Sequence, residues 1–171
     1  METRILGILV KPKTQIYFYQ NGDFISNKVQ RFVAGQDFEK YGLIFKAGSV
    51  VTLYPDGCLR GGEIYGGQLV ESLGFHRDSR LTFCRDGRIL SLNSASYSFR
   101  VETNGRNFRG TGWASFHENG SIEAATLAQA EEIGGCHYPA FASLHFNPEG
   151  KIDRVVTSPG GNWVLEPHCP A

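Results

Sequence analysis

Residues 51–59 read VTLYPDGCL, and this stretch decides the fold. Apolar Val51 and Leu53 alternate with Thr52 and Tyr54 up to a Pro-Asp-Gly turn, and Leu59 restores the apolar pattern after it. Alternation with a period of two predicts a strand with one buried face. The pattern occurs five times around the turn glycines Gly22, Gly57, Gly87, Gly120 and Gly150. A repeat spaced by 30 to 35 residues therefore sets the architecture.

The turn type follows from the positions of the apolar residues. In a three-residue loop, a type I turn followed by a left-handed glycine, the fourth residue before the glycine faces the second residue after it. A two-residue loop would instead select the third residue after the glycine, which is charged in Arg60, Glu123 and Asp153. The three-residue loop predicts the pairs Phe18 with Phe24, Leu53 with Leu59, Phe83 with Ile89, Phe116 with Ile122 and Phe146 with Ile152.

Each repeat is predicted to contain three strands joined by a tight turn and a three-residue hairpin. The repeats span approximately residues 8–35, 43–70, 73–98, 106–130 and 136–157 of one domain, with 158–171 as a C-terminal cap. Helical turns are expected only near Gln36–Tyr41 and Thr126–Glu132, and the glycine pairs at 61–62, 66–67 and 134–135 are interpreted as joints. About fifteen short strands predict an all-β antiparallel meander, curled and open-sided, with a closed β-barrel as the alternative.

Composition narrows the classes of partner and location. The net charge is zero, so nothing attracts the whole chain to nucleic acid or anionic lipid. No apolar run approaches the roughly 20 residues of a membrane span, and no secretory signal is recognised. The four cysteines form no CxxC pair, which predicts reduced thiols and a cytoplasmic protein. The oligomeric state stays open.

Catalytic and metal chemistry find little support in the sequence. Cys136 and His137 are adjacent, and neighbours on a strand point to opposite faces, so they do not easily ligate one ion. Cys84 and His117 would be separated by two strand spacings, roughly 10 Å, which is too far for a nucleophile and its base. The glycines match no phosphate-binding loop. We therefore expect no enzyme, no cofactor and no metal.

Binding is better supported, by the second face of the hairpins. Three and five residues before the turn glycines, this face carries mainly tyrosine, threonine and histidine, which suit hydrogen bonding and stacking against a partner. The third repeat adds an arginine-rich stretch. The partner-binding candidates are Tyr17, Tyr19, Tyr54, His117, His145, Arg85 and Arg88. An ordinary solvated sheet face is the alternative interpretation of the same residues.

These patterns predict a non-enzymatic protein-binding or scaffold module whose partner is another protein. Two alternatives stay open. One is a small β-barrel that carries an apolar ligand, which requires a cavity between the large side chains. The other is an enzyme of an unrecognised type. Nucleic-acid binding is a minor possibility.

Residues 45–59 (FKAGSVVTLYPDGCL) and 115–122 (SFHENGSI) resemble bacterial β-hairpin repeat proteins of the MORN-like and antitoxin-type kind. The resemblance covers residues 8–157 in rhythm, although the chain lacks the Gly-x-Trp and His-Gly-x-Gly elements and has longer repeats. It implies a meandering sheet and an adaptor role, and it assigns no catalytic residue.

Overall fold

A computed structural model of the chain describes residues 2–19, 28–70, 73–75, 78–94, 99–103 and 106–157. The predicted turn glycine Gly22 and the predicted cap at 158–171 lie outside these residues. The described part is all-β and antiparallel, and it contains neither a helix nor a closed barrel. It therefore has no helix that could cross a membrane. The predicted all-β meander is confirmed.

The described residues form nineteen strands. The first ten are β1 (Arg4–Ile5), β2 (Ile8–Leu9), β3 (Tyr17–Phe18), β4 (Val29–Val33), β5 (Phe38–Lys40), β6 (Leu43–Phe45), β7 (Val50–Leu53), β8 (Leu59–Ile64), β9 (Gln68–Val70) and β10 (Leu73–Phe75). The others are β11 (Ser79–Phe83), β12 (Ile89–Asn93), β13 (Phe99–Thr103), β14 (Arg106–Phe116), β15 (Ile122–Leu127), β16 (Glu131–Ile133), β17 (Cys136–Tyr138), β18 (Ser143–Phe146) and β19 (Ile152–Val156).

The chain divides into two compact units. The first unit is Met1–Tyr65 with Arg80–Ile89, and the second is Gly66–Ser79 with Leu90–Ala171. In the first unit the neighbouring strands are β3, β4, β7, β8 and β11, in that order. In the second unit they are β12, β14, β15, β18 and β19. Each unit is thus a meander of long hairpins.

The second, fourth and fifth long hairpins turn as predicted. Leu53 faces Leu59, Phe116 faces Ile122 and Phe146 faces Ile152. In the second turn the amide of Gly57 donates to the Tyr54 carbonyl at 2.9 Å, and Gly57 has a φ of 90°. These features define a type I turn closed by a left-handed glycine. The turns at Gly87, Gly120 and Gly150 make the same hydrogen bond.

The first hairpin departs from the prediction. Phe18 pairs with Val29 rather than Phe24, and its side chain is 50% exposed instead of buried. The equivalent residues Leu53, Phe83, Phe116 and Phe146 are all buried. The Tyr19 amide donates to the Lys28 carbonyl at 3.0 Å, so the connection between β3 and β4 is longer than the three-residue loop that the prediction assumed.

Short hairpins lie beside the main path and were not predicted as such. β5 pairs with β6 and β16 pairs with β17, each through a two-residue loop. The residues predicted as helical turns form β5, β15 and β16 instead, so both helix predictions are wrong. Residues 38–40 are extended because Phe38 lies opposite Phe45, with the two rings stacked at 4.9 Å.

Phe45 is at the centre of the first unit's core. It is fully buried, and its ring packs against Phe38 and against Phe83, 5.9 Å away. A Cβ at Gly62 would lie 2.7 Å from the same ring. Gly61 and Gly62 are therefore inside β8, where neighbours approach closely, and the interpretation of this pair as a joint is wrong.

Candidate functional site

Three hairpin turns of the first unit converge on one cleft of about 570 Å³, which we call the turn cleft. The turns are Leu6–Gly7 between β1 and β2, Tyr41–Gly42 between β5 and β6, and residues 55–57 between β7 and β8. The cleft has an apolar wall and a polar lining. The wall consists of Leu6, Ile8, Phe38, Leu53 and Leu59, and the polar lining includes Lys40, Tyr41, Asp56 and Cys58. Hairpin loops on a rigid sheet are frequent binding positions.

A second hollow of about 310 Å³ adjoins the turn cleft. Its lining includes Lys28, Tyr54 and Pro55. It shares Leu6, Leu53, Asp56 and Gly57 with the turn cleft. Leu6 therefore borders both hollows.

Leu6 has a strained backbone. Its φ of 52° lies in the left-handed region, which costs a residue with a Cβ roughly 1–2 kcal/mol. The side chain is 65% exposed, so burial offsets little of that cost. A strained, exposed leucine at the lip of a cleft suggests a binding role rather than a structural one.

Tyr41 provides the contrast on the same cleft. It occupies the equivalent turn position, sixteen residues before its turn glycine, and its φ is 56°. Its ring packs 5.2 Å from Phe83, and a Cβ at Gly87 would lie 2.7 Å from the ring. Packing of the ring therefore offsets the backbone strain at Tyr41. At Leu6 no comparable packing offsets it.

Hydrogen bonds and burial keep the thiol and the phenol of the cleft neutral. The amide of Cys58 donates to Asp56 at 3.0 Å, which with the nearby Arg85 guanidinium lowers the pKa of that carboxyl. The hydrogen bond from its own thiol to Asp56, together with burial, raises the pKa of Cys58. Burial, and then the negative charges that Cys58, Asp86 and Asp56 carry when ionised, raise the pKa of Tyr41. Because the thiolate is the nucleophilic form, Cys58 is poorly suited to nucleophilic catalysis.

Three of the predicted partner-binding residues connect successive hairpins. Tyr19 donates its hydroxyl to the Leu53 carbonyl, and Tyr54 donates to the Phe83 carbonyl at 2.7 Å. In the second unit, Nε2 of His117 donates to the Phe146 carbonyl at 2.8 Å. Each donor stands three residues before the turn glycine of its own hairpin. Each acceptor stands four residues before the turn glycine of the following hairpin. Their polar atoms thus stabilise the stacking of repeats.

The other predicted residues are divided between the two units. Tyr17 is exposed and lies under the Arg31 guanidinium at 4.9 Å. Arg85 pairs with Asp56 at 3.6 Å, on the rim of the turn cleft, whereas Arg88 pairs with Asp86 within its own turn. In the second unit, His145 contacts Arg154 at 2.9 Å. Only Tyr54 and Arg85 of the seven adjoin the cleft or its second hollow.

Replacing Tyr54 with phenylalanine should destabilise the first unit by about 1 kcal/mol, since the Phe83 carbonyl loses its donor. Urea unfolding followed by circular dichroism measures the change. Tyr17→Phe is the matched control, because the Tyr17 hydroxyl donates to the side chain of the nearby Gln15 at the surface and the ring under Arg31 is kept, so this change should be neutral. Equal stability of both variants would contradict the connecting role of Tyr54.

A second strained and exposed apolar residue lies in the second unit. Phe141 is 70% exposed with a φ of 64°, at the repeat position where the second repeat has Gly48. Among the residues that the structure describes, the four non-glycine residues with positive φ occupy only two repeat positions. Leu6 and Tyr41 stand sixteen residues before a turn glycine, and Lys13 and Phe141 stand nine before one.

The cysteines differ in state. Cys58 and Cys84 are free thiols, whereas Cys136 is disulfide-bonded. The expectation of reduced thiols throughout is therefore wrong for Cys136. Within the described residues, no group of three or more histidine, cysteine, aspartate or glutamate side chains is placed to hold a metal ion.

Sequence reasoning missed Leu6, Lys40 and Cys58 as parts of one site. A signal was present, because Leu6–Gly7 and Tyr41–Gly42 recur at the same distance before a turn glycine. No protein-family model, curated protein or solved structure matches this chain.

Proposed function

We propose that this protein is a non-enzymatic binding module that takes a short extended segment of another protein into the turn cleft and its second hollow. The observation that carries the proposal is Leu6, which is strained, exposed and common to both hollows. Natural proteins retain such strain mainly where it serves function.

The shape of the site suits an extended peptide. Two adjoining hollows that share Leu6 can each receive a side chain, and in an extended segment alternate side chains point the same way. Apolar walls supply the driving force, and the polar turn residues at the rim supply orientation. Side chains of leucine or phenylalanine size fit the apolar walls best.

The neutral thiol and phenol favour binding over catalysis. A catalytic cleft normally lowers the pKa of its nucleophile or places a base beside it. Here the carboxylate of Asp56 raises the pKa of the Cys58 thiol.

The test is a selection from a displayed library of random peptides, followed by affinity measurements on synthetic copies of the selected sequences. Leu6→Asn should weaken their binding at least about ten-fold, as expected for a central apolar contact. The fold should survive, because Asn-Gly is the preferred dipeptide for this two-residue turn. The free energy of unfolding should stay unchanged or rise by up to about 1 kcal/mol.

Ile44→Thr is the control, since Ile44 is an exposed apolar residue of the same unit that lines neither hollow. Its peptide affinity should equal that of the wild type. Selected peptides that bind Leu6→Asn as tightly as the wild type would overturn the proposal. A large loss of stability in Leu6→Asn would show that Leu6 is structural.

Carriage of an apolar small molecule is the second candidate. The volume of the turn cleft falls in the range of small-molecule sites, roughly 300–1,000 Å³. Native mass spectrometry of the purified protein distinguishes the two functions: a bound molecule released by Leu6→Asn would favour a carrier.

The sequence-based placement in the cytoplasm and the MORN-like relationship stay predictions. The disulfide at Cys136 weighs against the cytoplasm, because reducing compartments disfavour such bonds.

A further inference from the structure

We infer that the segment recognised by the turn cleft is acidic: it places a carboxylate against Lys40 or Lys28, beside the apolar side chains seated around Leu6. This inference rests on the proposed function and adds the chemistry of the partner.

Two lysines line the site, one in each hollow. Lys40 lines the turn cleft and Lys28 lines the second hollow. Neither makes an ion pair in the part of the chain that the structure describes. Both are exposed, so each ammonium is available to a partner's carboxylate.

The acidic residues nearby do not cancel these charges. Asp56 pairs with Arg85 at 3.6 Å, and its carboxylate also accepts the Cys58 amide. Glu39 also lines the turn cleft, but it pairs with Ile44 across β5 and β6, whereas Phe38 on the cleft wall pairs with Phe45. Because side chains alternate along a strand, Glu39 points to the face opposite Phe38. Among the described residues, Lys28 and Lys40 are thus lining cations without a paired carboxylate, whereas the Asp56 carboxylate is already paired with Arg85.

The position of Lys40 is partly set by an aromatic neighbour. Its ammonium lies 5.3 Å from the centroid of the Tyr41 ring, and that ring is itself packed against Phe83. A cation held over a packed ring is less free than an ordinary surface lysine. When an apolar side chain of the partner occupies the cleft, a neighbouring carboxylate of the partner can therefore bind a Lys40 ammonium that is already held in position.

The carboxylate can come from an aspartate or glutamate side chain or from the C-terminus of the partner segment. Peptides selected on the wild-type protein are synthesised with a free and with an amidated C-terminus. Equal affinity of the two forms assigns the contact to a side chain. Loss of affinity on amidation assigns it to the terminus.

The decisive measurement is the affinity of these synthetic peptides for the wild type, Lys40→Gln, Lys28→Gln and the double variant. Each single change should weaken binding about two- to five-fold, and the double variant should weaken it further. Wild-type affinity should fall as salt is raised, and less steeply in the double variant. Lys11→Gln, which lines neither hollow, should bind like the wild type.

The outcomes separate this inference from the proposed function. The inference would be overturned if the selected peptides contained no excess of acidic residues and bound both lysine variants at full affinity. If those peptides still required Leu6, the proposed function would stand. Binders that do not depend on Leu6 would overturn the function itself. An excess of acidic residues, with losses in the lysine variants, supports both.

Discussion

Replacing Phe45 with alanine is expected to lower the free energy of unfolding by about 3–5 kcal/mol, the usual cost of truncating a buried phenylalanine. Phe45 is fully buried, its ring stacks on Phe38 at 4.9 Å, and it packs against Phe83. The ring also fills the space over Gly62, which has no side chain to move into the void. A loss of this size is a large part of the 5–15 kcal/mol that stabilises a typical domain.

The same substitution should abolish peptide binding, because Phe38 forms part of the cleft wall and stacks on Phe45. Urea unfolding and peptide affinity are measured on one preparation. Phe18→Ala is the matched control, since this phenylalanine is half exposed and its loss should cost about 1 kcal/mol or less. If Phe45→Ala were no less stable than Phe18→Ala, the packing described for the first unit would be incorrect.

The long hairpins could be predicted because their chemistry is local. A proline or acidic residue, a glycine and flanking apolar residues specify the turn at Gly57 within nine residues, and Leu53 faces Leu59 as that rule requires. The burial of Leu53 and Phe83 in the first unit, and of Phe116 and Phe146 in the second, follows from the same alternation. No partner distant in sequence is needed for either prediction.

The short hairpins could not be predicted in the same way. Residues 36–41 carry no clear period of two, and β5 forms at residues 38–40 because Phe38 pairs with Phe45 and stacks on its ring. Tertiary packing thus overrides weak local preference. Phe18 shows the opposite failure, because its local pattern is that of a core residue but it pairs with Val29 and stays exposed.

The candidate site was hidden for a different reason. The sequence pointed to tyrosines and histidines, but the hydroxyl of Tyr54 bonds a carbonyl 29 residues away, a pairing that only the stacking of repeats creates. Leu6 attracts no attention as a residue type. Its importance lies in its backbone conformation and exposure, and neither property is visible before the turn at residues 6–7 is placed.

Gly61→Ala is expected to lower the free energy of unfolding by about 3 kcal/mol, at the upper end of the cost of overpacking. A Cβ at this position would lie 2.7 Å from the carbonyl oxygen of Leu81 on the neighbouring strand β11. The atom that would have to move is backbone, so no change of side-chain rotamer relieves the clash. Chemical denaturation measures the loss.

Gly48→Ala is the matched control, because Gly48 needs a φ of 79° but has no atom within 4 Å of an added Cβ. Its loss should be about 1 kcal/mol, the cost of conformation alone. The difference between the two variants isolates the close approach of β8 to β11. If residue 61 lay in a loose joint between repeats, alanine would be tolerated there. Gly61→Ala would then lose no more stability than Gly48→Ala. The comparison thus decides whether β8 is one continuous strand from Leu59 to Ile64. Leu59, at the start of this strand, forms part of the apolar wall of the turn cleft.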